Sequence, residues 1–104
     1  MKNILYIDTA EQEVIKVGLE INGKKSEVKK ENVKGSQVLL VLIDQVLSKS
    51  KIKPAEINEI TINSGPGSFT GLRVGFAVAN TLGYFLNIPV NGKKVKEVVE
   101  PKYK

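Results

Sequence analysis

A chain of 104 residues, 41% apolar and 26% charged, can build one globular domain with a modest core, and not two. With no cysteine and no histidine, disulfides, zinc knuckles, thiol catalysis and every nucleophile activated by an imidazole are excluded within these residues. The net charge of +5 is local: residues 24–34 and residues 93–104 each carry five Lys against two Glu, which reads as a solvated edge and tail or as contact with RNA or another acidic partner.

The start, Met1-Lys2-Asn3-Ile4, runs directly into a strand-like segment and does not read as a secretory signal. No segment approaches the ~20 apolar residues of a membrane span, and the expected location is the cytoplasm. Residues 4–8 form an apolar run ending in Asp8, the pattern of a buried central strand with an acid at its tip. Residues 13–21 alternate as a half-buried strand, Asn22-Gly23 signals a tight hairpin, and the lysine-rich residues 24–31 form the return strand at a sheet edge. Ser36 is placed to cap a helix over 37–49. Residues 57–63 predict a fourth strand, a helix follows over about 71–87, and Pro89-Val90 reads as a fifth short strand. The lobe spans 1–92 and leaves a basic tail over 93–104, which either reaches RNA or keeps the lobe soluble.

The order β-β-β-α-β-α-β predicts an α/β fold with a mixed five-stranded sheet in the order 3-2-1-4-5 and helices packed on it. That is the ribonuclease-H-like arrangement, which is also one lobe of the actin/Hsp70/sugar-kinase (ASKHA) architecture.

Two places could carry chemistry. Asp8 could hold metal as in a nuclease, with Asp44 as a second ligand, but two acids make a poor two-metal site. The alternative is an acid that closes its own turn. The segment Ser64-Gly65-Pro66-Gly67-Ser68-Phe69-Thr70-Gly71 is neither a phosphate-binding P-loop nor a dinucleotide fingerprint. It does place Ser68 and Thr70 at a helix N-terminus. With Asp8, Thr9, Gly65 and Gly67 it forms a candidate anion or nucleotide loop. It reads equally as a tight connection.

The second predicted helix is the most informative element. Gly71, Gly75, Ala79 and Gly83 recur every four residues as a small-residue stripe, and the polar wedge is narrow: Arg73, Asn80, Tyr84 and Asn87. Interior glycines cost a helix roughly 1 kcal/mol each, so close packing must offset them. The first helix carries apolar residues over about 200° of its surface, twice what a sheet requires. The two helices either cover each other or offer a face to another protein. The expected partner face comprises Leu39, Ile43 and Leu47 with Gly71, Leu72, Gly75, Phe76, Ala79, Leu82 and Gly83.

The string Ser64-Gly65-Pro66-Gly67-Ser68-Phe69-Thr70-Gly71-Leu72-Arg73-Val74-Gly75 closely resembles the signature loop of the TsaB (YeaZ) family. Ile7-Asp8-Thr9, Ser36-Gln37 and Asn87-Ile88-Pro89-Val90 add to the likeness, which runs over residues 4–92. The resemblance implies a non-catalytic subunit of the bacterial machinery that makes threonylcarbamoyladenosine at position 37 of tRNA. It would dimerise through its helices with the catalytic subunit TsaD, joined by the ATPase TsaE. It would form homodimers through the same faces when alone, and would touch tRNA through the complex. Members of the family usually continue into a second lobe, and these residues match only the first. The resemblance therefore implies no cofactor here, with ATP or ADP bound only if shared with a partner. The family often has Asp-Thr-Ser where this chain has Asp8-Thr9-Ala10. An older peptidase reading of the family finds no histidine, cysteine or metal cluster here.

Overall fold

The computed structural model describes residues 2–93, 100 and 101; the rest of the basic tail predicted over 93–104 lies outside them. The elements are β1 (Asn3–Asp8), β2 (Val14–Ile21), β3 (Lys24–Glu31), α1 (Ser36–Lys49), a 3-10 turn (Pro54–Glu56), β4 (Glu59–Ile62) and α2 (Phe69–Leu86). The four strands form one sheet in the order β3-β2-β1-β4. β1 runs antiparallel to β2 and parallel to β4, and β3 runs antiparallel to β2.

Each element begins and ends for a local reason. Asn22 and Gly23 both take positive φ, 52° and 84°, as the tight hairpin between β2 and β3 requires. The first helix begins one residue before the predicted span. Its N-cap is Gly35, at φ 105°, and makes no side-chain cap bond. The expected Ser36 cap is therefore not formed, because Ser36 is already the first helical residue. At α2 the cap does form: Ser68 accepts from the Gly71 N–H at 3.2 Å. Asn87 closes the helix in the left-handed region at φ 60°.

The predicted fifth strand is reduced to a single parallel bridge, Ile60 to Val90, beside β4. The chain turns away at once through Asn91 and Gly92, at φ 52° and 73°. The Asn91 side chain takes over the pairing that another strand residue would make. It accepts from the Ile62 N–H at 2.7 Å and donates to the Ile62 carbonyl at 3.0 Å.

Both helices lie on one face of the sheet. Leu5 and Ile7 of β1, Ile15, Val17 and Leu19 of β2, and Ile60 and Ile62 of β4 are buried there. They meet Leu39, Leu42, Ile43, Val46 and Leu47 of α1 and Leu72, Phe76, Val78 and Ala79 of α2. The small-residue stripe turns inward. A Cβ on Gly71 would strike the Thr9 carbonyl, one on Gly75 the Thr9 hydroxyl, and one on Gly83 the Val90 side chain. These glycines permit contact with the sheet and its flanking loops.

Helix propensity alone favours Ala over Gly by about 1 kcal/mol, whereas overpacking costs about 1–3 kcal/mol. Gly71→Ala and Gly75→Ala are therefore expected to destabilise the fold by about 1–2 kcal/mol despite the better helix former. Ala77→Gly, on the exposed side of α2, should cost only the propensity of about 1 kcal/mol. Urea unfolding curves check both. Stabilisation by Gly71→Ala or Gly75→Ala, the outcome that propensity alone gives, would overturn the inward assignment.

Candidate functional site

The inward turn of the stripe redraws the expected partner face. Leu39, Ile43, Leu47, Leu72, Gly75, Phe76, Ala79 and Gly83 are all buried within this chain, and Leu82 is half-buried against the core. Gly71 is half-buried under Thr9. Only the half-buried members can add area to a contact, because the others already face the sheet.

The apolar residues that remain outward are Leu40 and Val41 on α1 and Phe69, Tyr84 and Phe85 on α2. Phe85 is 78% exposed. Its ring meets Tyr84 edge to face, with centroids 5.7 Å apart. At the start of the helix the Arg73 guanidinium lies over the Phe69 ring at 5.4 Å. Ala77 lies on the same exposed side. Five large apolar side chains left outward on two packed helices mark a candidate docking face. The 200° apolar coverage announced such a face, and its placement follows from which half the sheet takes.

The glycine turn is a clasp between β1 and α2. The Thr9 hydroxyl donates to the Gly71 carbonyl at 2.6 Å, and Thr9 is 2% exposed. The Ser68 N–H donates to the Ala10 carbonyl at 2.7 Å. Gly67 lies so close to Ala10 that a Cβ would overlap it. Asp8 accepts from the Ala10 N–H at 3.1 Å and so closes its own turn. Gly65 takes φ 90° and precedes a cis Pro66.

The residues expected to form one anion loop are divided between two hollows. Thr9, Ser68, Thr70 and Gly71, with Lys34 and Glu13, line a cavity of about 110 Å³ beneath the β1–β2 turn. Asp8 instead lines a hollow of about 190 Å³ on the opposite, helix-free face of the sheet, with Tyr6, Lys16, Lys25 and Asn63. Gly65 and Gly67 line neither. Asp44, the second metal ligand considered from sequence, is exposed on α1, on the helix side of the sheet. Among the described residues no group of three or more acidic, histidine or cysteine side chains is placed to hold a metal. Among them, too, no helix is long and apolar enough to cross a membrane.

The family model described as TsaD, tRNA N6-adenosine threonylcarbamoyltransferase, matches residues 29–93. A curated relative from Buchnera aphidicola subsp. Baizongia pistaciae, "tRNA threonylcarbamoyladenosine biosynthesis protein TsaB", is 36% identical over 90 residues, covering 86% of this chain and 40% of the relative. Its namesake from Haemophilus influenzae is 31% identical over 88 residues, covering 84% of this chain and 37% of the relative. The solved structure "YeaZ from Pseudomonas aeruginosa" superposes with a TM-score of 0.81 at 27% identity, covering 86% of this chain and 42% of that one. This chain belongs to the TsaB (YeaZ) family. It spans about two fifths of the length of these two curated TsaB relatives and corresponds to part of the family's N-terminal region.

On the helix-free face of this TsaB chain, the Tyr6 hydroxyl donates to Glu20 at 3.0 Å, and the Lys25 ammonium stands 4.2 Å from the Tyr6 ring centre. The hydrogen bond to the Glu20 carboxylate, with desolvation second, holds the Tyr6 phenol above its ordinary pKa of 10.0. Because the folded value is raised, this contribution to stability is present in full below pH ~10 and is lost as pH rises through the folded pKa. Tyrosinate absorbance should show Tyr6 ionising late. Glu20→Ala should return it toward the ordinary range, and an unchanged titration would refute the pairing.

Proposed function

We propose that this chain is the partner-binding lobe of a TsaB-type subunit, acting in the synthesis of threonylcarbamoyladenosine at position 37 of tRNA. The exposed side of α1 and α2 docks a TsaD-like catalytic subunit. One observation carries the reading: Leu40, Val41, Phe69, Tyr84 and Phe85 stay outward on the helical layer of a chain whose relatives are named for this pathway. The match to the TsaD family model supports it, because paralogous lobes of similar shape can pair helix layer to helix layer.

On this reading the chemistry belongs to the partner, and this chain supplies a surface. It offers no histidine or cysteine for nucleophilic or metal chemistry. The glycine turn that suggested a phosphate cradle uses Asp8, Thr9 and Ser68 to hold itself together. No cofactor is assigned to this lobe, and ATP or ADP would enter only where a partner shares the site. A TsaE-like ATPase and tRNA would be reached through the assembly. Without TsaD the same apolar face would mediate homodimers. The reading places the chain in the cytoplasm, where tRNA is modified.

Light scattering after size exclusion, on this chain alone and mixed with its cognate TsaD, tests the proposal. A 1:1 complex at micromolar concentration is expected. Phe85→Glu and Leu40→Glu should each weaken it by about 30-fold or more, since a buried anchor is worth about 2 kcal/mol or above. Both sites are exposed, so the circular dichroism spectrum should not change. Absence of a complex with the unaltered chain would sink the reading, as would binding indifferent to both substitutions.

A further inference from the structure

The far edge of the sheet carries a second message, independent of the helical face. β3 is eight residues long and forms the outer strand, bonded to β2 on one side only. Seven of its eight residues are exposed, and Val28 at its middle is half-buried. An edge of this length is an open template for another strand. Lysines on such an edge ordinarily discourage pairing, but their arrangement here is more specific than that.

The register with β2 sorts β3 into two faces. Lys24, Ser26, Val28 and Lys30 lie opposite Ile21, Leu19, Val17 and Ile15, on the helix side. Lys25, Glu27, Lys29 and Glu31 lie on the helix-free side, opposite Glu20, Gly18, Lys16 and Val14. That second face reads Lys, Glu, Lys, Glu. Its charges already pair within the strand, Lys25 to Glu27 at 4.0 Å and Lys29 to Glu31 at 3.1 Å, and all four side chains are well exposed.

Consider a second copy laid antiparallel against this edge about a two-fold axis through Val28. Residue i then faces residue 56 − i of the other copy. Lys25 meets Glu31, Glu27 meets Lys29, and the symmetry repeats both pairs. On the helix side Val28 meets Val28 and Ser26 meets Lys30, so no like charges are opposed. Sliding the strands by two residues either way sets Lys against Lys and Glu against Glu. A slip by one residue would set side chains of opposite faces against each other. The alternating charges thus favour this register, which makes the most opposite-charge pairs, over those shifted by two residues.

We propose that β3 is a self-recognition edge, pairing antiparallel with β3 of a second copy of this chain to form a continuous eight-stranded sheet centred on Val28. Charge self-complementarity selects the occupant. A peptide of uniform charge would meet two like charges in any register, whereas the second copy meets none. Exposed ion pairs contribute little each, so the dimer is weak. Backbone hydrogen bonds and the Val28 pair hold it together, and the charges set its register.

The test uses a Phe85→Glu background, in which the helical face cannot self-associate, and sedimentation equilibrium at low salt up to about 1 mM protein, the weak limit of useful affinity. The background is expected to show a monomer–dimer equilibrium that weakens with added salt. Glu27→Lys with Glu31→Lys makes the face all-lysine, and Lys25→Glu with Lys29→Glu makes it all-glutamate. Each double variant alone should associate about tenfold more weakly or worse, because four cross-strand pairs become repulsive. Mixing the two variants should restore association to the parent level. A nitroxide on Val28→Cys, the sole thiol in these residues, should show strong label–label broadening in the parent, and none in either double variant alone. A background that stays monomeric throughout overturns the proposal. So does a dimer indifferent to the charge reversals, or one without broadening at position 28.

Discussion

The fold depends on how closely α2 can approach the turn that follows β1. Thr9 leaves the central strand, is buried, and donates its hydroxyl to the Gly71 carbonyl at 2.6 Å. That contact is possible because Gly71 and Gly75 have no Cβ where Thr9 needs room. The neighbouring bonds serve the same junction: Ser68 N–H to the Ala10 carbonyl, and Ala10 N–H to the Asp8 carboxylate. With the helix drawn down here, Leu72, Phe76 and Ala79 reach the sheet and become buried. The residues on the far side of the same helix are then committed to solvent or to a partner. The interior glycines thus decide indirectly which apolar residues are left over.

Much of this was legible in the residues. The hairpin at Asn22-Gly23, the lysine-rich edge, the leucine-rich first helix and the strand order through β4 follow from period, turn chemistry and connection rules. The wheel of α2 was legible, but not which side of it the sheet takes. On a wheel of 100° per residue the stripe Gly71-Gly75-Ala79-Gly83 lies opposite the wedge marked by Arg73, Asn80 and Tyr84, and that wedge points to water. A small-residue stripe announces close contact without naming the neighbour. The partner face was accordingly assigned to residues that the sheet claims, while Tyr84 was counted only as polar. The fifth strand was overestimated for a different reason. Pro89-Val90 has strand character, but Asn91 satisfies Ile62 with its side chain and ends the pairing after one bridge. The division of the glycine turn between two hollows was not legible, because it depends on which face of the sheet Asp8 takes relative to Thr9.

The polar residues of the clasp illustrate how far a motif can be read. A serine and a threonine at a helix N-terminus, glycines before them and an acid at a strand tip make a pattern that nature uses for phosphate. The same groups are also what a tight strand-to-helix junction needs. Each can satisfy a backbone group that the turn leaves unpaired. In this structure the bonds these groups make are those of the junction. Thr9 and Ser68 bond within the junction, and Asp8 closes its own turn. The strongest sequence signature in the chain therefore identifies its family through a structural joint, and the surface proposed to function lies along the outer side of the helix that the joint holds.

The lobe presents two surfaces of unlike physical character. On the helical layer the exposed groups are rings and branched aliphatics, whose burial is driven by the loss of apolar area from water and responds little to moderate salt. On the β3 edge they are alternating charges around one valine, and contacts there weaken as the Debye length shrinks below the spacing of the charges. β2 and β1 separate the edge from β4, α1 packs over β2 and β3, and only the inner face of each helix is engaged by the sheet. One chain can in principle hold both kinds of contact at once. Ionic strength would shift the balance between them without any change in fold.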